Sequence, residues 1–356
     1  MLYRKYRPQS FSQVMGQTHV IKTLQGGFSS GRIGHAYLFA GPRGTGKTTI
    51  ARIFAKALNC GKRKQNGDPC NACDNCLAVN EGRSLDLIEI DAASNRGIDE
   101  IRNLKESAMV AAPGGGYKTF LIDEVHALTK DAFNALLKII EEPPAHVVFV
   151  LATTEPHKIL PTVLSRVQRF YFNRLTNKEI YDKLKAIAKE EGVNIEEDGL
   201  KAIASSSDGA LRDAEVMLTK VVTTSQEKNI SAEAIHEILG IIPKNFYPEF
   251  FGLLVSSDSA GSLEFIQKIY HSGADLENFS KEFLEYARKM LVARISPATL
   301  ASMEGDWHEE DKGMELLIDQ KNLVRMIQIF TVARTQIKSS PIPPLPLELA
   351  VLEFLQ

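Results

Sequence analysis

The stretch His35-Ala-Tyr-Leu-Phe-Ala40 and the Gly41-Pro42-Arg43-Gly44-Thr45-Gly46-Lys47-Thr48-Thr49 that follows it decide the reading of this 356-residue chain. The first six residues form an apolar run of strand length. The glycines after it let backbone N–H groups turn inward around phosphate oxygens. Lys47 then supplies a charge for β- and γ-phosphates, and Thr48 a hydroxyl for Mg²⁺. From Thr48 to Asn59, Ile50, Ile53, Phe54, Ala57 and Leu58 recur at helical spacing. Strand, loop and helix therefore follow in the order a nucleoside triphosphate site needs, with the helix dipole aimed at the phosphates.

A second segment supports that site. Lys118–Glu124 (KTFLIDE) is an apolar run ending in adjacent acids. In this position Asp123 is expected to hold Mg²⁺, and Glu124 to orient and deprotonate an attacking water. His126 reads as structural rather than catalytic, because no nucleophile sits beside it. Further strands are predicted over Leu85–Ile90, Val147–Thr154 and Val167–Phe172. Helices are predicted from Ile98 through Ile101, Leu104 and Ala108, and over Thr129–Glu142. Strands alternating with helices predict an α/β domain on a five-stranded parallel sheet, with ligands at the strands' carboxyl ends.

The four cysteines of the chain, Cys60, Cys70, Cys73 and Cys76, lie just beyond the phosphate loop. Cys-x2-Cys spacing lets neighbouring thiolates reach one ion, and four thiolates suit tetrahedral Zn²⁺ with no position left for chemistry. Disulfides and an iron–sulfur cluster are the alternatives. The intervening residues are turn formers, so a loop excursion off the core is expected.

Composition bounds the rest. Hydrophobic residues make up 44% of the chain, enough for two or three domains of this length. No apolar run approaches the ~18 residues of a membrane span, and no signal peptide is visible, which predicts a soluble intracellular protein. The net charge is −2, but residues 1–64 carry twelve Lys or Arg and no acid, leaving 30 basic against 44 acidic residues beyond. That bias implies a face for polyanions, unless nucleotide phosphates and surface solvation account for it. After Thr176 strands are expected to cease. Residues 177–240 read as short helices, one opened by Gly209-Ala-Leu-Arg-Asp-Ala214. From Pro243 helices resume, ending with one over Leu347–Leu355. Trp307, the single tryptophan, reads as a packing residue.

The phosphate loop, the Asp-Glu-Val-His strand end, the four-cysteine insertion, Leu151-Ala-Thr-Thr154, Ser165-Arg166 and Gly209-Ala-Leu-Arg-Asp213 together resemble the AAA+ clamp loaders. Tyr6-Arg7-Pro8, Gln13-Val14-Met15-Gly16-Gln17 and Leu345-Pro-Leu-Glu-Leu-Ala350 make the resemblance closest to the tau/gamma subunits of bacterial DNA polymerase III. It covers essentially the whole chain. It implies an AAA+ ATPase domain over 1–176 with a zinc module at about 60–80, a helical lid over 177–242 and a helical collar over 243–356. It also implies a cytoplasmic Mg²⁺-dependent ATPase with ATP and Zn²⁺ bound, in a hetero-oligomeric ring, a pentamer with several copies of this chain. The ring would load a sliding clamp onto primed DNA, with no polymerase site in this chain and no membrane partner.

The resemblance also assigns residues. Arg7, Pro8 and Val14 would line the adenine pocket, with Gly41 to Thr49 around the phosphates. Thr154 matches a first sensor and Arg212 a second. Arg166 matches an arginine finger that acts on the neighbouring subunit's ATP. Valine at 167 departs from the family's usual cysteine and is expected to pack in its place. Ser94-Asn95-Arg96-Gly97 is a candidate phosphate contact for DNA, or an ordinary helix cap. A branch-migration helicase or initiator of the AAA+ class, and an ATP-binding scaffold without turnover, are the other readings. The insertion argues against the first, and intact Lys47, Thr48, Asp123 and Glu124 against the second.

Overall fold

The computed structural model describes residues 1–225, 228–296, 299 and 313–356. Trp307 lies outside them. The chain divides into two compact units, one of Met1–Val193 with Ile203–Val222, the other of Asn194–Ala202 with Thr223–Gln356.

The first unit holds five parallel strands in the order β2-β3-β4-β1-β5: β1 (Ala36–Ala40), β2 (Leu87–Asp91), β3 (Lys118–Asp123), β4 (Val147–Thr153) and β5 (Gln168–Tyr171). Its helices are α1 (Leu2–Lys5), α2 (Thr18–Ser30), α3 (Lys47–Leu58), α4 (Asp74–Asn80), α5 (Ile98–Met109), α6 (Lys130–Glu141), α7 (Pro161–Leu164) and α8 (Asn177–Glu190). Helix α9 (Glu197–Ser206) follows, then α10 (Leu211–Thr224). The central strands are apolar on both faces, as buried parallel strands must be. Phe120, Ile122, Phe149 and Leu151 face one core together with Ile101 and Leu104 of α5 and Phe133 and Leu136 of α6. Leu121, Val148, Val150 and Phe39 face the other, with Ile50, Ile53 and Phe54 of α3. The strict alternation of these residues along each strand is the period of two expected of a pleated sheet. Val167, partly buried, packs against the first core.

Two differences from the sequence reading stand out. The cysteine segment is more than a loop. Asp74–Asn80 forms a helix with Asp74 in its first turn, and Cys76 is fully buried. Asn and Asp, read as turn formers, here open a helix. Strands also do not cease at Thr176: Asn194–Ile195 (β6) and Asn229–Ile230 (β7) pair in parallel in the second unit, too briefly to show a period. Ile195 and Ile230 are buried there.

The other described elements of the second unit are helices, among them α11 (Ala232–Leu239), α12 (Phe246–Val255), α13 (Ser259–His271), α14 (Leu276–Ile295), α15 (Gln320–Ile337) and α16 (Leu345–Leu355). Phe250, Phe283 and Phe330 meet edge to face at its centre, with centroids 4.9–5.9 Å apart. Helix α16 starts two residues earlier than expected, since Pro346 in a first turn needs no N–H partner. None of the described helices is long and apolar enough to cross a membrane.

Candidate functional site

Strand β1 delivers the chain to Gly41, where a side chain is excluded: a Cβ there would fall 2.4 Å from the carbonyl oxygen of Phe172. Gly46, at φ +97, turns the loop into α3 and leaves Lys47 as its first residue. The buried Lys47 ammonium donates to the carbonyls of Gly41 and Pro42, both at 2.8 Å. Burial pulls its pKa down, while Glu124 and Asp123 oppose that pull. Its present partners are carbonyls of the loop itself, so phosphate oxygens can replace them with stronger charge-assisted bonds.

Thr48 Oγ1 donates to Asp123 Oδ2 at 2.7 Å, joining the two expected Mg²⁺ ligands across α3 and β3. In a straight strand adjacent acids point to opposite faces. Glu124 avoids this by taking a left-handed backbone at φ +48, and both acids face one cavity. Glu124 Oε2 accepts from the hydroxyl of Thr154 at 2.9 Å and from its N–H at 3.3 Å. The expected sensor thus touches the expected base directly. His126 bridges Thr153 Oγ1 and Glu155 Oε2, each at 2.9 Å, and comes within 3.4 Å of Glu124. Both ring nitrogens are engaged, and the imidazole braces the acidic strand end.

These groups open onto a cavity of about 670 Å³, within the usual range for a small-molecule site. Arg43 to Thr49 line its phosphate end with Asp91, Asp123 and Glu124. Arg7, Pro8 and Val14 line the same cavity, joined by Met15 of the motif that carries the resemblance and by Tyr3, which no sequence pattern singles out. Helix α10 closes one wall through Leu211, Arg212 and Glu215. The Arg212 guanidinium lies 5.0 Å from the centroid of the Tyr3 ring, a cation–π contact that ties the start of α10 to the N-terminal segment. A second cavity of about 410 Å³ is lined by Arg4, Arg52 and Lys56, with Arg7 and Arg212 again on its wall. Half of the twelve cations in residues 1–64 therefore line one cavity or the other.

Arg166 is not among the lining residues. It is exposed at the end of α7, 2.8 Å from Glu141 Oε1 and donating to the Thr162 carbonyl. Ser94 to Gly97 form a turn held by Asp91, whose side chain accepts from the Ala93 amide and the Ser94 hydroxyl. Gly97 caps α5, and Asp99 and Glu100 already occupy its first turn. Those carboxylates complement the helix dipole and work against a phosphate there.

The four cysteine sulfurs lie within 4.8 Å of one another, and no disulfide joins them. Cys70 Sγ and Cys76 Sγ are 3.9 Å apart. Thiolates about 2.3 Å from a tetrahedral ion stand ~3.8 Å from each other, so the set fits zinc. The amides of Cys70, Ala72 and Cys73 point at sulfur, and the Ala72 amide is the largest influence lowering the Cys70 thiol to about 6. Asn59 and Asn75 anchor the cluster: Asn59 exchanges two hydrogen bonds with the Tyr117 backbone, and Asn75 donates to the Asn59 carbonyl. Beside the sulfurs sits Lys56, almost fully buried, donating to Gln9 and Asn80. Burial pushes its ammonium down to about 8 against the pull of Cys76, Cys60 and Cys70.

The fold is that of the AAA+ ATPases. Thermotoga maritima RuvB, a Holliday junction branch migration motor, matches it with a TM-score of 0.50 over 70% of this chain and 79% of that one, at 21% identity. Sequence narrows the class. The description of the DNA polymerase III delta subunit matches residues 16–176, and that of domain III of the gamma and tau subunits matches residues 230–356. The DNA polymerase III subunit tau of Bacillus subtilis is 39% identical over the whole chain, which spans 63% of that protein's length. The subunit gamma of Buchnera aphidicola is 39% identical over 83% of this chain and 81% of its own. The chain belongs to the tau/gamma family of DNA polymerase III subunits.

Proposed function

We propose that this chain is the ATP-driven motor subunit of a bacterial replicative clamp loader. The observation that carries the ATPase part is the direct pairing of Thr48 with Asp123 beneath the phosphate loop, with Glu124 held by Thr154 at the same cavity wall. Thr48 and Asp123 would hold Mg²⁺, which supplies positive charge to the β- and γ-phosphate oxygens when bound. Lys47 leaves the Gly41 and Pro42 carbonyls for the phosphates. Glu124 takes a proton from the attacking water, and Thr154, already hydrogen-bonded to that carboxylate, aligns it. Arg7, Pro8 and Val14 receive the adenine.

Arg166, exposed and away from its own cavity, suits an arginine finger that serves a neighbouring subunit. Hydrolysis then depends on assembly. Arg212, linked to Tyr3 at the cavity wall, would report nucleotide occupancy to a lid formed by residues 177–242. Residues 243–356 would form the collar of a hetero-oligomeric ring, a pentamer with several copies of this chain, acting in the cytoplasm on a sliding clamp and primed DNA. The four thiolates would hold a structural Zn²⁺. Polymerase chemistry belongs to other chains of such a holoenzyme. The test is clamp loading by the reconstituted complex. Sliding clamp should be retained on primed circular DNA with ATP and lost from it when Lys47→Ala replaces the wild type; equal retention by both would refute the proposal.

A further inference from the structure

Helix α10 runs along the cavity wall between the phosphate loop and the N-terminal segment. At the phosphate end Ala210 sits against Gly44, where an added Cβ would come within 2.8 Å of the Ala210 Cβ. Two turns on, Thr219 accepts the Leu2 amide at 3.2 Å, joining the helix to the N-terminal segment that carries Tyr3, Arg7 and Pro8. Residues 211, 215 and 219 share one face by their spacing. Glu215 lies between, about 7 Å along the axis from Ala210 and toward the segment that carries Arg7 and Pro8, where the adenine is proposed to sit.

Its surroundings make the carboxyl conspicuous. Glu215 is 5% exposed and lines the cavity, yet its Oε1 has no hydrogen-bond partner. The other acids on the cavity wall, Asp91, Asp123 and Glu124, belong to the phosphate end. Arg212, three residues earlier on the same helix, stacks on Tyr3 and makes no ion pair with Glu215. Lys183 of α8 attracts the carboxyl only weakly against desolvation. A buried carboxyl with an unpartnered oxygen, on a residue that lines a ligand cavity, is the pattern of a group that can turn to a ligand's polar edge.

We propose that Glu215 reads the amino edge of the adenine base, accepting from the exocyclic N6 and donating to ring N1. The inference rests on ATP as the ligand of this cavity. Adenine carries a donor and an acceptor side by side on that edge, and a neutral carboxyl carries the matching acceptor and donor. Burial favours the neutral form by pushing the Glu215 carboxyl up to about 7. Glutamine has the same donor and acceptor pattern without titrating; leucine has neither.

The test is equilibrium binding of ATP and of purine ribonucleoside 5′-triphosphate, which lacks the 6-amino group, to wild type, Glu215→Gln and Glu215→Leu. Wild type and Glu215→Gln should bind ATP about tenfold more tightly than the analogue. Glu215→Leu should bind both alike, at the analogue's affinity. Equal affinity of the wild type for the two ligands overturns the role of Glu215 while leaving ATP binding intact, and needs no variant to fold. An unchanged preference for ATP in Glu215→Leu overturns it as well. Failure of the wild type to bind either ligand would instead refute the nucleotide reading itself.

Discussion

The nucleotide cavity and the cysteine cluster both sit at the ends of α3, and they are built on opposite plans. Around the phosphate loop the polar groups are satisfied by one another: Lys47 by loop carbonyls, Thr48 by Asp123, Glu124 by Thr154. Each of those bonds can be exchanged for one to a ligand, around about 670 Å³ of open space. In the cluster four sulfurs converge on one point, with two of the cysteines buried and amides directed at sulfur. No room remains for a substrate. A site meant to turn over keeps its groups in exchangeable pairs, whereas one meant to hold a metal closes around it.

Four changes would break or sharpen that contrast. Lys47→Ala removes the buried charge proposed to bond the phosphates. ATP affinity should fall by at least ~100-fold, read by nucleotide titration. Glu124→Gln keeps the shape of the side chain but not its basicity. ATP should still bind, and turnover should drop by about 10²–10⁴-fold in a steady-state assay; a small loss would mean that another group activates the water. Cys73→Ser should leave the cavity alone and strike the cluster. Zinc content by elemental analysis should fall, with a lowered unfolding midpoint and ATP affinity changed no more than about twofold. Loss of ATP binding there would erase the separation between the two sites.

The fourth change concerns Glu215. Its carboxyl titrates at about 7 in the fold against an ordinary 4.5. The folded chain therefore keeps a proton that the unfolded chain gives up. Stability from this group is full below about pH 4.5 and is lost as pH rises through about 7. Relative to Glu215→Gln, nucleotide-free wild type should lose on the order of 2–3 kcal/mol between about pH 5 and about pH 8, measured by denaturant unfolding at both values. A constant difference would mean the carboxyl is solvated.

Most of the sheet was legible because buried parallel strands are nearly continuous apolar runs, and β1, β3 and β4 are of that kind. The phosphate loop, the acid pair and the cysteines were legible because spacing along the chain is itself their chemistry. The remainder needed three dimensions. Thr154 could be named by resemblance, but its bonds to Glu124 depend on β4 lying beside β3 and on one left-handed residue. Lys56 lies within an apolar helix, and its burial beside sulfur follows from the packing of α3 on α4. Glu215 follows Arg212 by three residues, with nothing in the sequence to separate it from a solvated helix glutamate. Only its position on the cavity wall does so. β6 and β7 were missed because two residues cannot display a period.

The most direct test of the motor reading is ATP hydrolysis by the reconstituted complex, with and without sliding clamp and primed DNA. Turnover should rise sharply when both are present, and Arg166→Ala should bind ATP yet lose that stimulation. A rate indifferent to clamp and DNA, or full stimulation in Arg166→Ala, would contradict an ATPase completed by its neighbour.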